Sequence, residues 1–355
     1  MRAAIRRGPA IVVDECEIPP LGQGQVRVRT HHCGICGSDL HAVHHFESFI
    51  DYGRRAGLLT GRIDPGRDVV LGHEFCAEIV EFGPGTERAL KEGAMVGAFA
   101  VNFDEKGAEG VGWSNHYPGG YAEYMVLTES MLVPVTNGCP SERAALAEPM
   151  AVAIHAVNKA DHQDSAYMVV GCGPIGLAII AELKARGLGP VVAVDYVAER
   201  RAVAERLGAD LLVDPAVGDP HDHWAGLDVP YGPVVYPRAQ SRARRAVLFE
   251  CVGVPGMLNR LIDAAPRNAQ IIVAGVCMAP DSIEPSLAIN KELEIKFSMA
   301  FSADEFRQSM HRICEGELDV SPLISRIVGL DELPATFDEL LTAPRSAKVL
   351  VDPRR

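Results

Sequence analysis

The alternation of hydrophobic and polar positions changes character near residue 166. Before that point, short apolar runs such as 10–13, 25–30 and 120–127 are separated by segments rich in Gly and Pro, which predicts strands joined by turns. From residue 166 onward, strand-like runs alternate with helical segments, a pattern typical of a parallel sheet with crossover helices. The six strands predicted there are 167–171, 191–195, 211–213, 246–251, 270–275 and 293–300. The pattern therefore predicts an α/β protein in which a β-rich part precedes a doubly wound parallel sheet.

Helical patterns also precede and follow the predicted sheet in the sequence. The first helix is predicted to begin near Ser141, which we interpret as its N-cap, and a second run follows at 150–158. An amphipathic helix is predicted at 304–315, and β segments follow it as far as 348–351.

Two segments show no clear periodicity. Residues 45–70 contain Gly and Pro and are too long for an ordinary connection, so we interpret them as a long loop. Such a loop is either a lid or pocket wall, or a surface excursion. Residues 214–244 are rich in Pro, Asp, Arg and Gly, and we interpret them as an irregular insertion. Trp224, His221 and His223 are most simply surface or packing groups within it.

A glycine motif follows the first strand of the second part. Gly171-Cys172-Gly173-Pro174-Ile175-Gly176 opens a helix, and Asp195 stands nineteen residues after its last glycine. In a dinucleotide-binding turn, the three glycines permit the turn, the approach of the backbone to pyrophosphate, and close packing of helix on strand. The N–H groups at the helix N-terminus favour phosphate charge. Asp195 can accept hydrogen bonds from the adenosine ribose and would repel a 2′-phosphate, so the motif predicts NAD rather than NADP.

Length and composition bound the remaining possibilities. A chain of 355 residues with 48% hydrophobic and 23% charged residues is typical of a globular protein with two domains. The net charge of −13 argues against nucleic acid or an anionic membrane as the main partner. The N-terminus shows no signal-peptide pattern, and no stretch is apolar enough to predict a membrane-spanning helix. The nine scattered cysteines fit reduced thiols, so we expect a cytoplasmic protein.

Three side chains could form a metal site with mixed donors. Cysteine thiolate, imidazole and carboxylate together suit zinc, and Cys36, His73 and Glu148 each lie at the edge of a predicted segment. Spacing alone does not select these three from nine cysteines and twelve histidines. Taken singly, Cys36 also fits a core thiol, His73 a packed histidine, and Glu148 a solvated helix residue.

Several short motifs, in order along the chain, resemble the zinc-dependent medium-chain alcohol dehydrogenases. The resemblance runs from the N-terminus to 348–351, and 45–70 and 214–244 are its divergent parts. The segments that carry it are Cys33-Gly34-Ile35-Cys36-Gly37-Ser38-Asp39, Gly72-His73-Glu74-Phe75, Gly119-Gly120-Tyr121-Ala122-Glu123-Tyr124, Glu148-Pro149-Met150-Ala151-Val152 and the glycine motif.

The resemblance implies a division of the chain into domains. A GroES-like, β-rich catalytic domain is expected over 1–152, and a Rossmann NAD-binding domain over 153–298. Residues 299–355 are expected to return to the catalytic domain. The resemblance further implies a homodimer or a homotetramer.

The resemblance also assigns metal ligands. Cys36 and His73 match the two residues that bind the catalytic zinc in that family. Glu148 matches a third ligand that many members have, and the acid matching Glu74 can approach the metal or exchange onto it. Cys33 matches a common cysteine that is not a ligand. We therefore expect one catalytic zinc at Cys36, His73 and Glu148.

Oxidation of an alcohol at such a site needs a route by which the hydroxyl proton of the alcohol reaches solvent. Zinc lowers the pKa of an alcohol and stabilises the alkoxide from which hydride leaves. Ser38 could accept the proton, and the family's relay implies that it then passes through the nicotinamide ribose hydroxyl to His41. An unperturbed imidazole pKa of ~6.5 suits the end of such a relay. His41 also fits a solvated loop residue, and Asp39 is expected to orient a ligand.

Further cofactor contacts are expected in the second part. Arg200 matches a basic position near the adenosine, although a solvated helix charge fits it about as well. Val252 follows the fourth predicted strand, and Gly275 and Val276 follow the fifth, at the carboxyl edge where such sheets bind ligands. These three residues are expected to line the nicotinamide.

The chain departs from the family pattern in one respect. Many members carry a second, structural zinc on four closely spaced cysteines, but residues 98–138 contain no cysteine. We expect no structural zinc, with this lobe held instead by packing around Trp113 and Tyr117.

These observations predict a zinc-dependent, NAD-linked oxidoreductase that interconverts a secondary or primary alcohol, or a polyol, and its carbonyl compound. A zinc-free NADPH reductase of activated double bonds on the same fold is one alternative, although Cys36, His73 and Asp195 argue against it. A non-catalytic nucleotide-binding scaffold is another, disfavoured because ligands, relay and glycine motif are all present.

Overall fold

The computed structural model describes residues 1–105, 107–232, 243–342 and 345–355. The strands are β1 (Arg2–Arg7), β2 (Ala10–Glu15), β3 (Gln25–Gly34), β4 (Glu74–Phe82), β5 (Met95–Ala98), β6 (Val101–Asp104), β7 (Gly107–Gly110), β8 (Tyr124–Thr128), β9 (Leu132–Pro134), β10 (Ser165–Val170), β11 (Val191–Val194), β12 (Leu211–Val213), β13 (Arg245–Glu250), β14 (Gln270–Val273), β15 (Glu294–Phe297), β16 (Ile324–Val328) and β17 (Lys348–Val351). The helices are α1 (Gly37–His44), α2 (Phe46–Ala56), α3 (Ser141–Ala144), α4 (Ala147–Asn158), α5 (Pro174–Ala185), α6 (Ala198–Arg206), α7 (Met257–Ala264), α8 (Pro285–Lys291), α9 (Ala303–Cys314) and α10 (Leu333–Thr342).

The chain forms two compact units. Unit 1 contains Met1–Glu148 and Phe306–Arg355, and unit 2 contains Pro149–Glu305. Each unit has its own buried apolar cluster. Two cores are expected for a chain of this length, which is too long for a single small core. Among the described residues, no helix is both long and apolar enough to cross a membrane.

Unit 1 is built on a seven-stranded sheet with β3 near its centre. The strand order is β16-β17-β3-β4-β5-β9, and β8 also pairs with β3. β3 alternates buried and partly exposed residues along most of its ten positions, as a strand with one face on a core requires. Its last residues, which are buried, pair with both β4 and β17. The end of β3 is therefore where three distant parts of unit 1 meet.

Unit 2 is built on a six-stranded parallel sheet. The strand order is β12-β11-β10-β13-β14-β15, so chain order reverses between β10 and β13. This is the doubly wound order of a Rossmann sheet, and it confirms the six strands that the apolar runs predict. The central strands are buried along their whole length because helices cover both faces of such a sheet.

The first two thirds of residues 45–70 are largely helical, which corrects the prediction of a long loop. They contain α2 and a 3₁₀ turn at Leu59–Arg62. Phe46, Ile50 and Gly53 are the buried positions of α2, a spacing of four and three residues that places them on one face. α2 ends at Gly57, whose φ of 72° needs a residue without a side chain. The helix was not predicted because its short apolar stripe stands among polar residues and glycines, which obscure the helical periodicity.

Two smaller predictions have different outcomes. Ser141 is not an N-cap: α3 begins at this residue, and its hydroxyl bonds the Nδ1 of His32 at 2.8 Å instead. Trp224 is completely buried in the core of unit 2, so its interpretation as a packing group is confirmed. Residues 233–242 of the predicted insertion lie outside the described residues.

Candidate active site

The sheet of unit 1 brings together three side chains that could bind a metal ion. Gly34, the last residue of β3, pairs with Glu74, the first residue of β4, so Cys36 and His73 flank the same strand end. The ligand atoms of Cys36, His73 and Glu74 all lie within 4.8 Å of one another. They form the only group of three or more potential ligands that meets this distance within the described ranges. The pairing of β3 with β4 thus brings together two short motifs, one containing Cys36 and the other His73 and Glu74, that lie about forty residues apart in the chain.

Glu74 is held by a buried ion pair that the sequence did not reveal. The Nζ of Lys348, on β17, lies 2.8 and 2.7 Å from the two carboxylate oxygens of Glu74. Lys348 and Glu74 are 3% and 0% exposed. Burial alone would lower the pKa of Lys348. The charge and hydrogen bonds of Glu74, together with Cys36 and Glu148, outweigh burial and raise the pKa. Lys348 also donates to the carbonyl of Ile35 at 3.1 Å, beside Cys36.

The close approach of Glu74 explains a glycine in the first motif. A Cβ on Gly34 would overlap Oε2 of Glu74, so any other residue there would displace the carboxylate. The motif 33–39 therefore contains both the candidate ligand Cys36 and, at Gly34, the space that the carboxylate of Glu74 occupies.

Asp39 organises the side chains around Cys36 and His73. Its buried Oδ2 accepts the N–H of Cys36 at 3.2 Å and the hydroxyl of Tyr121 at 2.6 Å. Its Oδ1 lies 3.3 Å from Nδ1 of His73, although the angle is too poor for a hydrogen bond. Burial lowers the pKa of His73, but Asp39 and Cys36 outweigh that effect and raise the pKa well above its usual value. The position of Asp39 is that of a residue that orients a metal ligand.

Glu148 lies near this group but is not part of it at 4.8 Å. It is the second residue of α4, whose first residue, Ala147, accepts a hydrogen bond from Ser309 at 2.8 Å. Burial, and to a smaller extent the charge of Glu74, raises the pKa of Glu148 to about 7 against the opposing effect of His73. A carboxylate in this state would be stabilised by a cation.

The donor set of this site fits zinc. A thiol, an imidazole and a carboxylate converge here. His73, the candidate imidazole ligand, is 9% exposed, and a carboxylate oxygen of Asp39 lies 3.3 Å from its Nδ1. Thiolate, imidazole and carboxylate are ligand types that protein zinc sites use, and a carboxylate beside the ring is a common neighbour of a zinc-binding histidine. Partial exposure of Cys36 leaves room for a further ligand.

An aromatic wall borders His73. The ring of Trp113 lies 5.3 Å from the imidazole of His73, centroid to centroid, and the ring of Phe49 on α2 stacks on Trp113 at 4.9 Å. From the sequence, only a packing role is predicted for Trp113. The composition around Trp113 contains no signal for this position, because the contact depends on how residues 45–70 fold. Tyr117, by contrast, bonds Gln25 and Asp104 away from this wall.

Ser38 and His41 lie on α1, three residues apart and therefore on one face of the helix. Both are partly exposed, and neither side chain forms a hydrogen bond with another part of the chain that the structure describes. Burial lowers the pKa of His41, with His45 as a smaller cause. His41 is therefore neutral near pH 7 and able to accept a proton.

The glycine motif of unit 2 has the shape of a phosphate-binding turn. Gly171 has a φ of 93°, and a Cβ on Gly176 would overlap the carbonyl oxygen of Gly171. A Cβ on Gly173 would meet no atom within 4 Å, so its neighbourhood is open. Pro174 and Ile175 begin α5, with Pro at a position that needs no N–H donor. The first and third glycines are required by packing, and the second leaves the backbone accessible.

Asp195 is fixed at the end of β11. Its Oδ2 accepts the N–H of Cys172, and its Oδ1 accepts that of Val197, both at 2.7 Å. Arg200 lies 3.9 Å from Oδ2, while Arg201 bonds the backbone oxygen of Asp195 at 2.6 Å. Each carboxylate oxygen retains a lone pair for a further donor.

The loops after β13 and β14 are joined by a buried acid. Oε1 of Glu250 accepts the N–H groups of Val252 and Gly253, both at 2.8 Å. A Cβ on Gly275 would collide with Gly253 and with Glu250, so these two loops touch through backbone. Val252 and Val276 are left 38% and 56% exposed at this edge. Glu250 was not identified from sequence, because a strand-terminal acid has no distinguishing motif.

A cavity of about 540 Å³ lies beside the glycine turn, within unit 2. Its lining includes Gly171, Gly173, Asp195, Arg200 and Val252. Five of the predicted cofactor residues therefore share one cavity. Gly275 and Val276 are not among its lining residues.

Comparisons with known proteins identify the family. The model of the alcohol dehydrogenase GroES-like domain matches residues 22–137, and that of the zinc-binding dehydrogenase matches residues 174–315. The (R,R)-butanediol dehydrogenase of Bacillus subtilis (strain 168) is 32% identical to this chain, over 97% of the chain and 96% of the relative. The chain belongs to the zinc-binding dehydrogenase family. The resemblance and the GroES-like and Rossmann fold that it implies are thereby confirmed.

Two solved structures of dehydrogenases match almost the whole chain. That of 2R,3R-butanediol dehydrogenase from Bacillus subtilis has a TM-score of 0.80 at 28% identity and covers 99% of both chains. A protein of Sinorhizobium meliloti 1021, described as a zinc-binding dehydrogenase and bound to NADP, has a TM-score of 0.81 at 25% identity, with 99% of both chains covered.

Proposed function

We propose that this zinc-binding dehydrogenase interconverts a secondary or primary alcohol, or a polyol, and its carbonyl compound by hydride transfer with NAD. The observation that carries the proposal is the convergence of Cys36, His73 and Glu74 within 4.8 Å. Relatives named as butanediol dehydrogenases support the reaction class, and they do not favour a double-bond reductase or a scaffold protein.

Cys36, His73 and Glu148 would hold the zinc ion. Glu74 is engaged on both oxygens by Lys348, whereas Glu148 is buried and its pKa is raised to about 7, so a cation beside Glu148 would stabilise its charged form. When bound, zinc acts as a Lewis acid that lowers the pKa of an alcohol and stabilises the charge that develops on its oxygen. Glu74 remains the acid that could exchange with Glu148 if Lys348 released it.

Ser38 and His41 would move the proton that the alcohol loses. Oγ of Ser38, two residues after Cys36, accepts that proton, and His41, one helical turn later, receives it and transfers it to solvent. The lowered pKa of His41 supports this role because a neutral ring has a free lone pair near pH 7. Trp113 and Phe49 would exclude water from the side of His73 and contact the substrate carbon chain.

The cavity of unit 2 would bind NAD. The open backbone at Gly173 would receive the pyrophosphate, and Asp195 would accept hydrogen bonds from the adenosine ribose. Asp195 lines the cavity at this position, and its charge would repel the 2′-phosphate of NADP. Val252, Gly275 and Val276 would lie beside the nicotinamide.

Replacing Asp195 with Asn tests this preference. Loss of the charge removes a strong acceptor for the ribose and a source of repulsion, so the ratio of kcat/KM for NADP to that for NAD should rise at least about tenfold. Asp263→Asn removes a charge from the same cavity without touching the residues that bond Asp195, and should leave the ratio within about twofold. An unchanged ratio in Asp195→Asn would show that Asp195 does not contact the ribose.

The reaction itself is tested by a screen of alcohols, vicinal diols and polyols with NAD, in which reduced cofactor is followed by its absorbance. The proposal predicts turnover with at least one class and loss of that turnover on chelation of metal. Turnover that survives complete metal removal, or reduction of an activated double bond in preference to any alcohol oxidation, would contradict it. The homodimer or homotetramer, and the cytoplasmic location, stay predictions from the sequence.

A further inference from the structure

His221 stands in the cofactor cavity with a fixed tautomer. It lies in a 3₁₀ turn, Pro220–His223, within the segment that sequence analysis left without chemistry. The indole Nε1 of Trp224 donates to Nδ1 of His221 at 3.0 Å. An indole nitrogen can only donate, so Nδ1 must be the unprotonated nitrogen and Nε2 must carry the hydrogen. Trp224 is completely buried, and releasing its N–H would leave a buried donor unpaired.

The Nε2–H group of His221 has no hydrogen-bond partner in the part of the chain that the structure describes. This nitrogen is not among the buried unpaired atoms, so solvent reaches it. His221 is 6% exposed as a residue and belongs to the lining of the cavity beside the glycine turn, so its ring borders a ligand-sized space. Two contacts fix the position of His221. The side chain of Asp219 accepts the backbone N–H of His221 at 2.9 Å, and the ring of Tyr231 stacks on the imidazole.

The surroundings of this donor favour a flat, largely apolar group with acceptor atoms on its edge. Val197, Pro215, Pro220, Met257 and Leu261 line the cavity. The two arginines there, Arg200 and Arg260, can pack their planar groups against an aromatic ring. Burial lowers the pKa of His221, so the ring is neutral and suited to a neutral acceptor rather than to a phosphate.

We propose that His221 donates its Nε2–H to a ring nitrogen of the adenine base, so that the segment 214–232 supplies base recognition to the cofactor cavity. This rests on the proposed function, because the order pyrophosphate, ribose and base follows from Gly173 and Asp195. Adenine has acceptor nitrogens at positions 1, 3 and 7 and no charge, which matches a single neutral donor between aliphatic walls. The locked tautomer keeps the donor in place before the ligand arrives, so no reorientation is needed on binding.

The test measures binding of AMP, which contains the base, and of nicotinamide mononucleotide, which does not, by calorimetry on the full-length protein. His221→Phe should weaken AMP about three- to tenfold, the worth of one hydrogen bond, and leave the mononucleotide unchanged. His221→Gln, which can both accept from Trp224 and donate to the base, should restore most of the affinity. His223→Phe, the same change two residues away and outside the cavity lining, should bind AMP as the unsubstituted protein does.

A measurement on the unsubstituted protein keeps the proposal testable if His221→Phe fails to fold. Among 1-deaza-, 3-deaza- and 7-deaza-AMP, one analogue should bind about three- to tenfold more weakly than AMP, because it lacks the acceptor. Equal binding of all four nucleotides, or equal AMP affinity in His221→Phe and the unsubstituted protein, would overturn the role of His221. Alcohol oxidation with NAD would still stand in that case. No AMP binding by the unsubstituted protein would overturn both this role and the cofactor site itself.

Discussion

Replacing Cys36 with Ser is expected to abolish alcohol oxidation and stoichiometric zinc binding. A serine hydroxyl is a far weaker zinc ligand than a thiolate, and its oxygen does not extend as far toward His73 and Glu74. Loss of residues that merely support metal ligands costs about 10- to 100-fold, so loss of a ligand should lower kcat/KM by at least about 100-fold. NAD binding should stay within about twofold, because the residues proposed to contact the cofactor belong to unit 2.

Cys33→Ser is the matched control for this variant. Cys33 is a completely buried thiol three residues earlier on β3, outside the group of converging ligand atoms. Its thiol donates weakly to the backbone oxygen of Gly34 at 3.6 Å, a contact that a hydroxyl can keep. This variant should retain zinc and turnover. Normal zinc content in Cys36→Ser, or equal loss in the two variants, would remove Cys36 from the metal site.

Replacing Lys348 with Met should destabilise metal-free unit 1 by about 3–5 kcal/mol, the usual cost of removing one partner of a buried ion pair. The charge of Glu74 would be left buried with both oxygens unpaired by Lys348. Denaturant unfolding of the metal-free protein measures the loss. Zinc should restore more stability to Lys348→Met than to the unsubstituted protein, because the freed Glu74 can then face the metal.

Two controls separate the burial of this pair from its charge. Arg326→Met breaks a pair with Glu339 on the surface of the same unit, with side chains 40% and 46% exposed, and should cost no more than about 1 kcal/mol. The double variant Glu74→Leu/Lys348→Met removes both charges and should recover most of the stability lost in Lys348→Met. A loss in Lys348→Met as small as that in Arg326→Met would show that the buried pair contributes little.

The parts of the fold that sequence predicts are those encoded locally. The six parallel strands follow from apolar runs, and the roles of Gly171 and Gly176 follow from a turn of six residues that packs against itself. Asp195 is predictable for the same reason, because chain distance from the turn fixes its place at the next strand end. The helix α2 was missed because its three buried positions stand among charged residues and glycines.

The surroundings of the candidate site depend on contacts between distant residues. Lys348 and Glu74 are 274 positions apart, and the lysine stands in an apolar run that predicts only a strand. Trp113 borders His73 because of where α2 and the segment after β7 fold, and Tyr121 reaches Asp39 across 82 positions. His221 has no motif, since its place in the cavity depends on an irregular segment. Cys36 and His73 were selected through the family resemblance, because spacing alone left them among many candidates.

The central claim is that zinc at Cys36 and His73 enables this chain to oxidise an alcohol with NAD. The most direct test is a titration of metal-free protein with zinc, in which the rate of NADH formation is measured with the best alcohol from the screen. The account predicts no turnover without metal and a linear rise that ends at one zinc per chain. Full turnover in the metal-free protein, or no gain in turnover after one zinc has bound per chain, would contradict the account.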